Sequence, residues 1–227
     1  MDFWTLLPRA AFDVETTGRD PRTARLVTAS IVVVGADGGV LEHHEWLADP
    51  GVPIPPEVSA IHGVWDARAR ADGRPAAQVT AEVASTLAGL FRRGVPVFAF
   101  NAPYDFTVLG AECRRHGAVF PLPRPVLDPF VLDKAVNRYR RGRRTLGALC
   151  DAYGIALDHA HTSAADALAT IQLADAMARQ YPQLRAEASQ LHDSQVLWAA
   201  EQAADFQDYL RRHRPDAVVE GSWPVLS

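Results

Sequence analysis

Two carboxylates stand two positions apart in Ala11-Phe12-Asp13-Val14-Glu15-Thr16-Thr17-Gly18, a run that otherwise reads as a buried strand. Side chains two apart on a strand share a face, so Asp13 and Glu15 lie side by side while Phe12 and Val14 face the opposite layer. Adjacent carboxylates repel and resist loss of water unless a cation sits between them. The pair therefore either reaches solvent at a strand end or binds a metal ion. Two further acids bear on that choice. Asp105 lies just past the apolar strand Val95 to Phe100, and Asp166 falls in the first turn of a long helix, five residues after His161. Each alone fits a helix start, where an acid meets the favourable end of the helix dipole, and Ser163-Ala164-Ala165-Asp166 has the capping-box pattern. The combination, rather than any single acid, points to chemistry.

The elements that must position these residues follow from periodicity. Arg9 to Glu15, Leu26 to Val34 and Val40 to Leu47 read as strands, the last two joined by a turn at Ala36-Asp37-Gly38-Gly39. Pro53, Pro55 and Pro56 argue against a regular helix or central strand between Asp49 and Gly63. Helical spacing resumes from Pro75 to Arg93 through Val79, Val83, Leu87 and Leu90. Pro103 suits the first turn of a helix running to about Gly117. A brief strand at Val126 to Asp128, helices near Pro129 to Asn137 and Thr145 to Tyr153, and a long helix from Ser163 to Gln180 complete the main body. Three antiparallel strands followed by alternating helix and strand predict an α/β fold, a mixed sheet flanked by helices. From Gln183 to His213 a further long helix carries Leu184, Ala188, Leu191, Trp198, Phe206 and Leu210 on roughly one stripe. The expected division is a main domain over 1–182 and a C-terminal helix and tail over 183–227, packed on it or appended to it.

Composition limits the function. With 227 residues, 48% hydrophobic and 22% charged, the chain is of ordinary globular make-up and long enough for one sizeable core. The two cysteines, Cys113 and Cys150, lack disulfide-framework or metal-ligand spacing, which disfavours redox chemistry. No apolar run reaches spanning length and the first residues have no basic leader, so a cytoplasmic protein without a membrane partner is expected. A net charge of −4 gives no global basic field to hold a nucleic acid, leaving local patches or bound cations to do so.

The motifs resemble those of the DEDDh, or DnaQ-like, exonucleases, the family of the epsilon-type proofreading subunit, oligoribonuclease and ribonuclease T. The matching stretches are Phe12-Asp13-Val14-Glu15-Thr16-Thr17-Gly18, Asn101-Ala102-Pro103-Tyr104-Asp105 and His161-Thr162-Ser163-Ala164-Ala165-Asp166, in the family's order, with Ile61-His62-Gly63 between the first two. The resemblance covers roughly residues 9 to 180. It implies a ribonuclease H-like fold and removal of nucleotides from the 3′ end of DNA or RNA, with DNA the favoured substrate. It implies further that Asp13, Glu15, Asp105 and Asp166 hold two divalent cations, Mg2+ or Mn2+, the hard ions that prefer carboxylate oxygens. His161 would be the general base, a role suited to an unperturbed pKa of ~6.5. In similar proteins the segment after the first acids contacts the 3′ nucleotide, which makes Thr16, Thr17 and Gly18 substrate candidates, with His62 and Asn101 in comparable stretches. Ser163 and Pro103-Tyr104 depart from the usual pattern without removing a ligand.

Arg138-Tyr139-Arg140-Arg141-Gly142-Arg143-Arg144 is the one dense basic run. It is either a solvated loop or a contact for the substrate backbone, with Arg140 and Arg141 as phosphate ligands. The C-terminal region is either a helix packed on its own domain or a surface for a polymerase or other protein. Two other functions compete. Asp13-x-Glu15-x-Thr17 loosely echoes the nucleophile motif of haloacid dehalogenase-type phosphatases, but Glu15 replaces that group's second aspartate and no adjacent acidic pair follows. A catalytically inactive nucleic-acid-binding module is disfavoured because each expected acid and the histidine are present.

Overall fold

The computed structural model of the protein describes residues 3–156 and 162–227. The first three strands form the meander expected from the sequence, with the first two buried almost throughout because both faces of the sheet are covered. β1 (Arg9–Thr16), β2 (Leu26–Val34) and β3 (Val40–Asp49) pair antiparallel in chain order, with Phe12 opposite Ile31 and Asp13 opposite Ser30.

The proline-rich stretch departs from expectation. Residues Pro56–His62 form a helix, α1, because Pro56 occupies its first turn, where the missing N–H has no partner to lose, and Gly63 at φ 76° closes it. A second short helix, α2 (Asp66–Asp72), and the two-residue β4 (Arg74–Pro75) follow, each too short to leave a periodic signal. α3 (Ala76–Arg92) buries Val79, Val83, Leu87 and Leu90, the stripe its spacing predicts. Beyond it come β5 (Val97–Phe98), α4 (Pro103–His116), β6 (Val126–Leu127), α5 (Pro129–Val136), α6 (Leu146–Tyr153) and α7 (Ser163–Gln180). The last helix, α8, spans Ala188–Arg211 rather than starting at Gln183, since Pro182–Leu184 form a separate 3-10 turn.

The six strands lie in the order β4-β3-β2-β1-β5-β6, with β5 parallel to β1 and β6 parallel to β5. Two apolar layers clasp this mixed sheet. Ala10, Phe12 and Val14 pack with Val79, Val83 and Phe106 of α3 and α4 on one face, whereas Ala11 packs with Leu173 and Met177 of α7 on the other. Asp13 and Glu15 share the parity of Ala11 and so face the α7 side.

The chain after α7 returns to the outer strand. His192 Nδ1 of α8 accepts the Val126 N–H at 3.1 Å, and Gln195 Oε1 accepts the Asp128 N–H at 2.7 Å while its amide donates to the Val126 carbonyl at 3.2 Å. Trp223 of the tail stacks at a tilt on His192, with ring centroids 5.0 Å apart. Among the described residues, no helix is long and apolar enough to cross a membrane.

Candidate active site

The acids converge where β1 outruns its neighbour. β5 pairs with β1 only as far as Ala11 opposite Phe98, so the end of β1 projects beyond the parallel strand. Its Val14 N–H is met instead by a side chain: Asp105 Oδ1, from the first turn of α4, accepts it at 3.1 Å. On the other face, α7 starts against the same strand end. Thr162 is its N-cap, accepting the Ala165 N–H through Oγ1, one residue earlier than the capping-box pattern suggests. This start brings Asp166 to the strand pair. Asp13, Glu15 and Asp166 each offer an oxygen within 4.8 Å of the others.

Three of the four acids expected as ligands are thus grouped, and the fourth, Asp105, stands beside them with one oxygen committed to the strand. The electrostatics are those of a crowded, poorly solvated set. Burial, and then the Asp105, Glu15 and Asp166 carboxylates, push the Asp13 pKa well above its ordinary range. Burial and Asp166 raise Glu15 to about 7. Burial also raises Asp105, against the opposing pull of the Val14 N–H. Such a set disfavours its own ionised form until a cation is supplied, and all-oxygen donors fit a hard divalent ion.

The turn after β1 is held more tightly than its sequence suggests. The Thr16 hydroxyl donates to the Gly18 carbonyl at 2.8 Å, and the Tyr104 hydroxyl reaches both Thr16 Oγ1 and that same carbonyl. Thr17 is tied to Arg25, its N–H donating to the Arg25 carbonyl at 3.0 Å and its hydroxyl accepting the Arg25 N–H at 2.9 Å. The threonine hydroxyls therefore shape the turn. Gly18 is not in the left-handed region, and a Cβ there would meet nothing within 4 Å, so the turn does not demand glycine; it leaves open space beside the acids.

His62, the last residue of α1, lines a cavity of about 320 Å³ with Glu15, Thr162 and Ser163. Its Nδ1 accepts the Val64 N–H at 3.1 Å, while its Nε2 is buried without a hydrogen-bond partner. Burial lowers its pKa, partly countered by the backbone of Thr16. His161 lies outside the described residues.

In the basic run, Arg140 is bonded to nearby backbone. Its two terminal nitrogens donate to the carbonyls of Arg143 and Ala148, at 2.7 and 3.0 Å. Arg144 pairs with the buried Asp133 at 2.7 Å, and Arg138 pairs with Asp205 at 2.6 Å. Arginine here folds the loop, because guanidinium forks satisfy carbonyls as readily as phosphates. Arg141 is exposed, and among the described residues its side chain makes no hydrogen bond or ion pair.

Two residues that sequence reasoning passed over organise this end of the sheet. Tyr104 closes the Thr16 turn, and its only signal was its place inside the motif. Asp128 is fully buried, and its carboxylate accepts N–H groups from Asn101, Ala102 and Phe130, each at 2.9 Å, with the Trp223 indole at 3.3 Å. It holds Asn101, the one non-glycine residue with positive φ (62°) among those described, immediately before the helix that carries Asp105. Burial raises the Asp128 pKa to about 6 against those four donors. An Asp followed by Pro129 was the available sign, since it marks an N-cap. Gln195→Leu would strand the Asp128 N–H and the Val126 carbonyl, and should destabilise the fold by about 2 kcal/mol or more; urea unfolding monitored by circular dichroism measures it.

Residues 10–174 match the family model RNase_T, described as Exonuclease. DNA polymerase III PolC-type from Streptococcus thermophilus is 31% identical over 167 residues, covering 71% of this chain and 10% of that protein. A DNA polymerase III subunit epsilon-like protein from Rhodobacter capsulatus is 32% identical over 179 residues, 77% of this chain and 24% of its own length. The chain thus spans a tenth to a quarter of these relatives. Among solved structures, E. coli exonuclease I in complex with a dA16 oligonucleotide shares the fold at a TM-score of 0.67 and 21% identity, over 78% of this chain and 42% of that one. Because the family model spans most of its length, the chain belongs to the RNase_T exonuclease family, of the DnaQ-like type.

Proposed function

We propose that this is a cytoplasmic, metal-dependent exonuclease that releases nucleoside monophosphates from 3′ ends, DNA in preference to RNA. The observation that carries the reading is the convergence of Asp13, Glu15 and Asp166 within 4.8 Å at the end of β1. These residues and Asp105 would hold two divalent cations, Mg2+ or Mn2+. When bound, such ions supply an activated water and support for the leaving 3′ oxygen. His161 takes the proton from the attacking water. The cavity shared by Glu15 and His62 receives the terminal nucleotide, where the buried Nε2 of His62 gains a partner. The Thr16–Gly18 turn borders that nucleotide and Arg141 offers a phosphate contact.

The names of the polymerase III relatives and the oligonucleotide-bound neighbour support DNA as substrate. They also support work beside a polymerase, for which the exposed Leu197 and Tyr209 of α8 offer a surface. The test is a pair of 5′-labelled oligonucleotides, one DNA and one RNA, incubated with Mg2+ or Mn2+ and with chelator. A ladder that shortens from the 3′ end, faster on DNA and abolished by chelation, is expected. A preserved substrate, or internal cleavage, would contradict the reading.

A further inference from the structure

The reaction proposed above uses the cavity that Glu15 shares with His62, and a second cavity of about 350 Å³ has no lining residue in common with it. Asn101 and Tyr104, at the start of α4, form one wall. Phe130 and Lys134 of α5 form another, and Phe206 of α8 and Trp223 of the tail complete it. Of its eighteen lining residues, ten lie beyond the matched family region, which ends at 174.

Its chemistry is specific. Phe206 is 50% exposed, so its ring is not spent on the core. Lys134 Nζ lies 4.0 Å from the Phe130 ring centroid, placing a cation beside a second aromatic face. Among the described residues, the exposed side-chain amide of Asn101 makes no hydrogen bond, and Asp128 fixes its backbone through the Asn101 N–H. Aromatic faces, one cation and one free amide suit a planar heterocycle attached to a phosphate. The cavity borders the active site, since Tyr104 lines it while its hydroxyl holds Thr16 and Gly18 and feels the charges of Asp105, Glu15 and Asp13.

We infer that this cavity is a subsite for a nucleobase of the substrate strand upstream of the bond being cut. The inference rests on the exonuclease reading: a strand whose cleaved phosphate lies at the acids places the terminal nucleotide on one side and its 5′ neighbours on the other. The two cavities then divide these parts between them. The base in the second cavity stacks on Phe206, and Lys134 meets the adjoining phosphate.

The experiment uses the full chain and 5′-labelled DNA oligonucleotides carrying a single abasic site at the second, third or fourth position from the 3′ end. The thymidine 5′-monophosphate p-nitrophenyl ester, which has no upstream nucleotide, is assayed on the wild-type protein alongside. At one position, loss of the base should raise the wild-type KM about tenfold, the scale of one lost stacking contact, with little change in kcat. Phe206→Ala should raise KM for the intact strand by a similar factor and respond no further to the abasic site at that position. A thermal midpoint near wild type, expected for a half-exposed side chain, checks its folding. Equal KM values for intact and abasic strands at all three positions would overturn the subsite alone, and so would an undiminished abasic effect in Phe206→Ala. Absence of hydrolysis of both ester and oligonucleotide by the wild type would overturn the exonuclease reading and the subsite with it.

Discussion

His161→Ala is expected to reduce turnover by about 10²- to 10⁴-fold, the span of general acid–base catalysis, while Mn2+ continues to raise the melting temperature as in the wild type. The separation follows from the chemistry assigned to each group. The oxygens that would hold cations belong to Asp13, Glu15, Asp105 and Asp166, and three of these are brought together by β1 and α7 alone. His161 precedes the Thr162 cap and enters through its spacing to Asp166. A histidine is suited to accept a proton near neutrality, and its loss leaves the carboxylates untouched. Single-turnover shortening of a labelled oligonucleotide, read beside a thermal shift with Mn2+, distinguishes the two effects. Turnover close to wild type would assign the proton to another group, and a lost Mn2+ shift would make the histidine part of the ion site.

Asp13→Asn should abolish turnover and remove the Mn2+-dependent rise in melting temperature, yet make the chelated protein more stable near neutral pH. Burial and the neighbouring carboxylates of Asp105, Glu15 and Asp166 hold Asp13 well above its ordinary pKa. An acid raised in the folded state favours folding while it is protonated, and its contribution fades as pH climbs from the unfolded value to the folded one. For Glu15 that window runs from 4.5 to about 7. Asparagine removes the charge that the folded site resists, so the variant should lose less stability than the wild type across that interval in chelator. Cation binding acts in the opposite direction, stabilising the ionised acids, so the Mn2+ shift of the wild type should grow with pH. Scanning calorimetry from acid to neutral pH, with chelator and with Mn2+, reads both trends. A chelated Asp13→Asn protein that melts below wild type at neutral pH would show that repulsion does not govern this site.

Asp13 and Glu15 could be read from the sequence because strand parity is a local property, and Asp166 because a helix start is announced within a few residues. The α1 helix was hidden by its prolines: they forbid a helix interior, but not its first turn, and Pro56 occupies that turn. Asp128 was invisible for another reason. Its partners Asn101 and Trp223 are 27 and 95 residues away, and no local pattern predicts a carboxylate shared among such distant donors. The partners of Arg140, the carbonyls of Arg143 and Ala148, were hidden because backbone atoms carry no side-chain signature. Likewise, Gln195 reads as a polar residue on an amphipathic helix, and only the position of β6 gives it a task.

β6 is the outermost strand on its side of the sheet. A bare strand edge is a template on which a strand from another chain can add, and proteins cover such edges or blunt them. His192 and Gln195 occupy the N–H and the carbonyl of Val126, so α8 is the cover for this edge. The part of the chain that bears every motif acid ends before that cover begins. Without α8, the N–H and carbonyl of Val126 would face solvent as a template for a strand from another chain, so the last helix guards the sheet against strand addition.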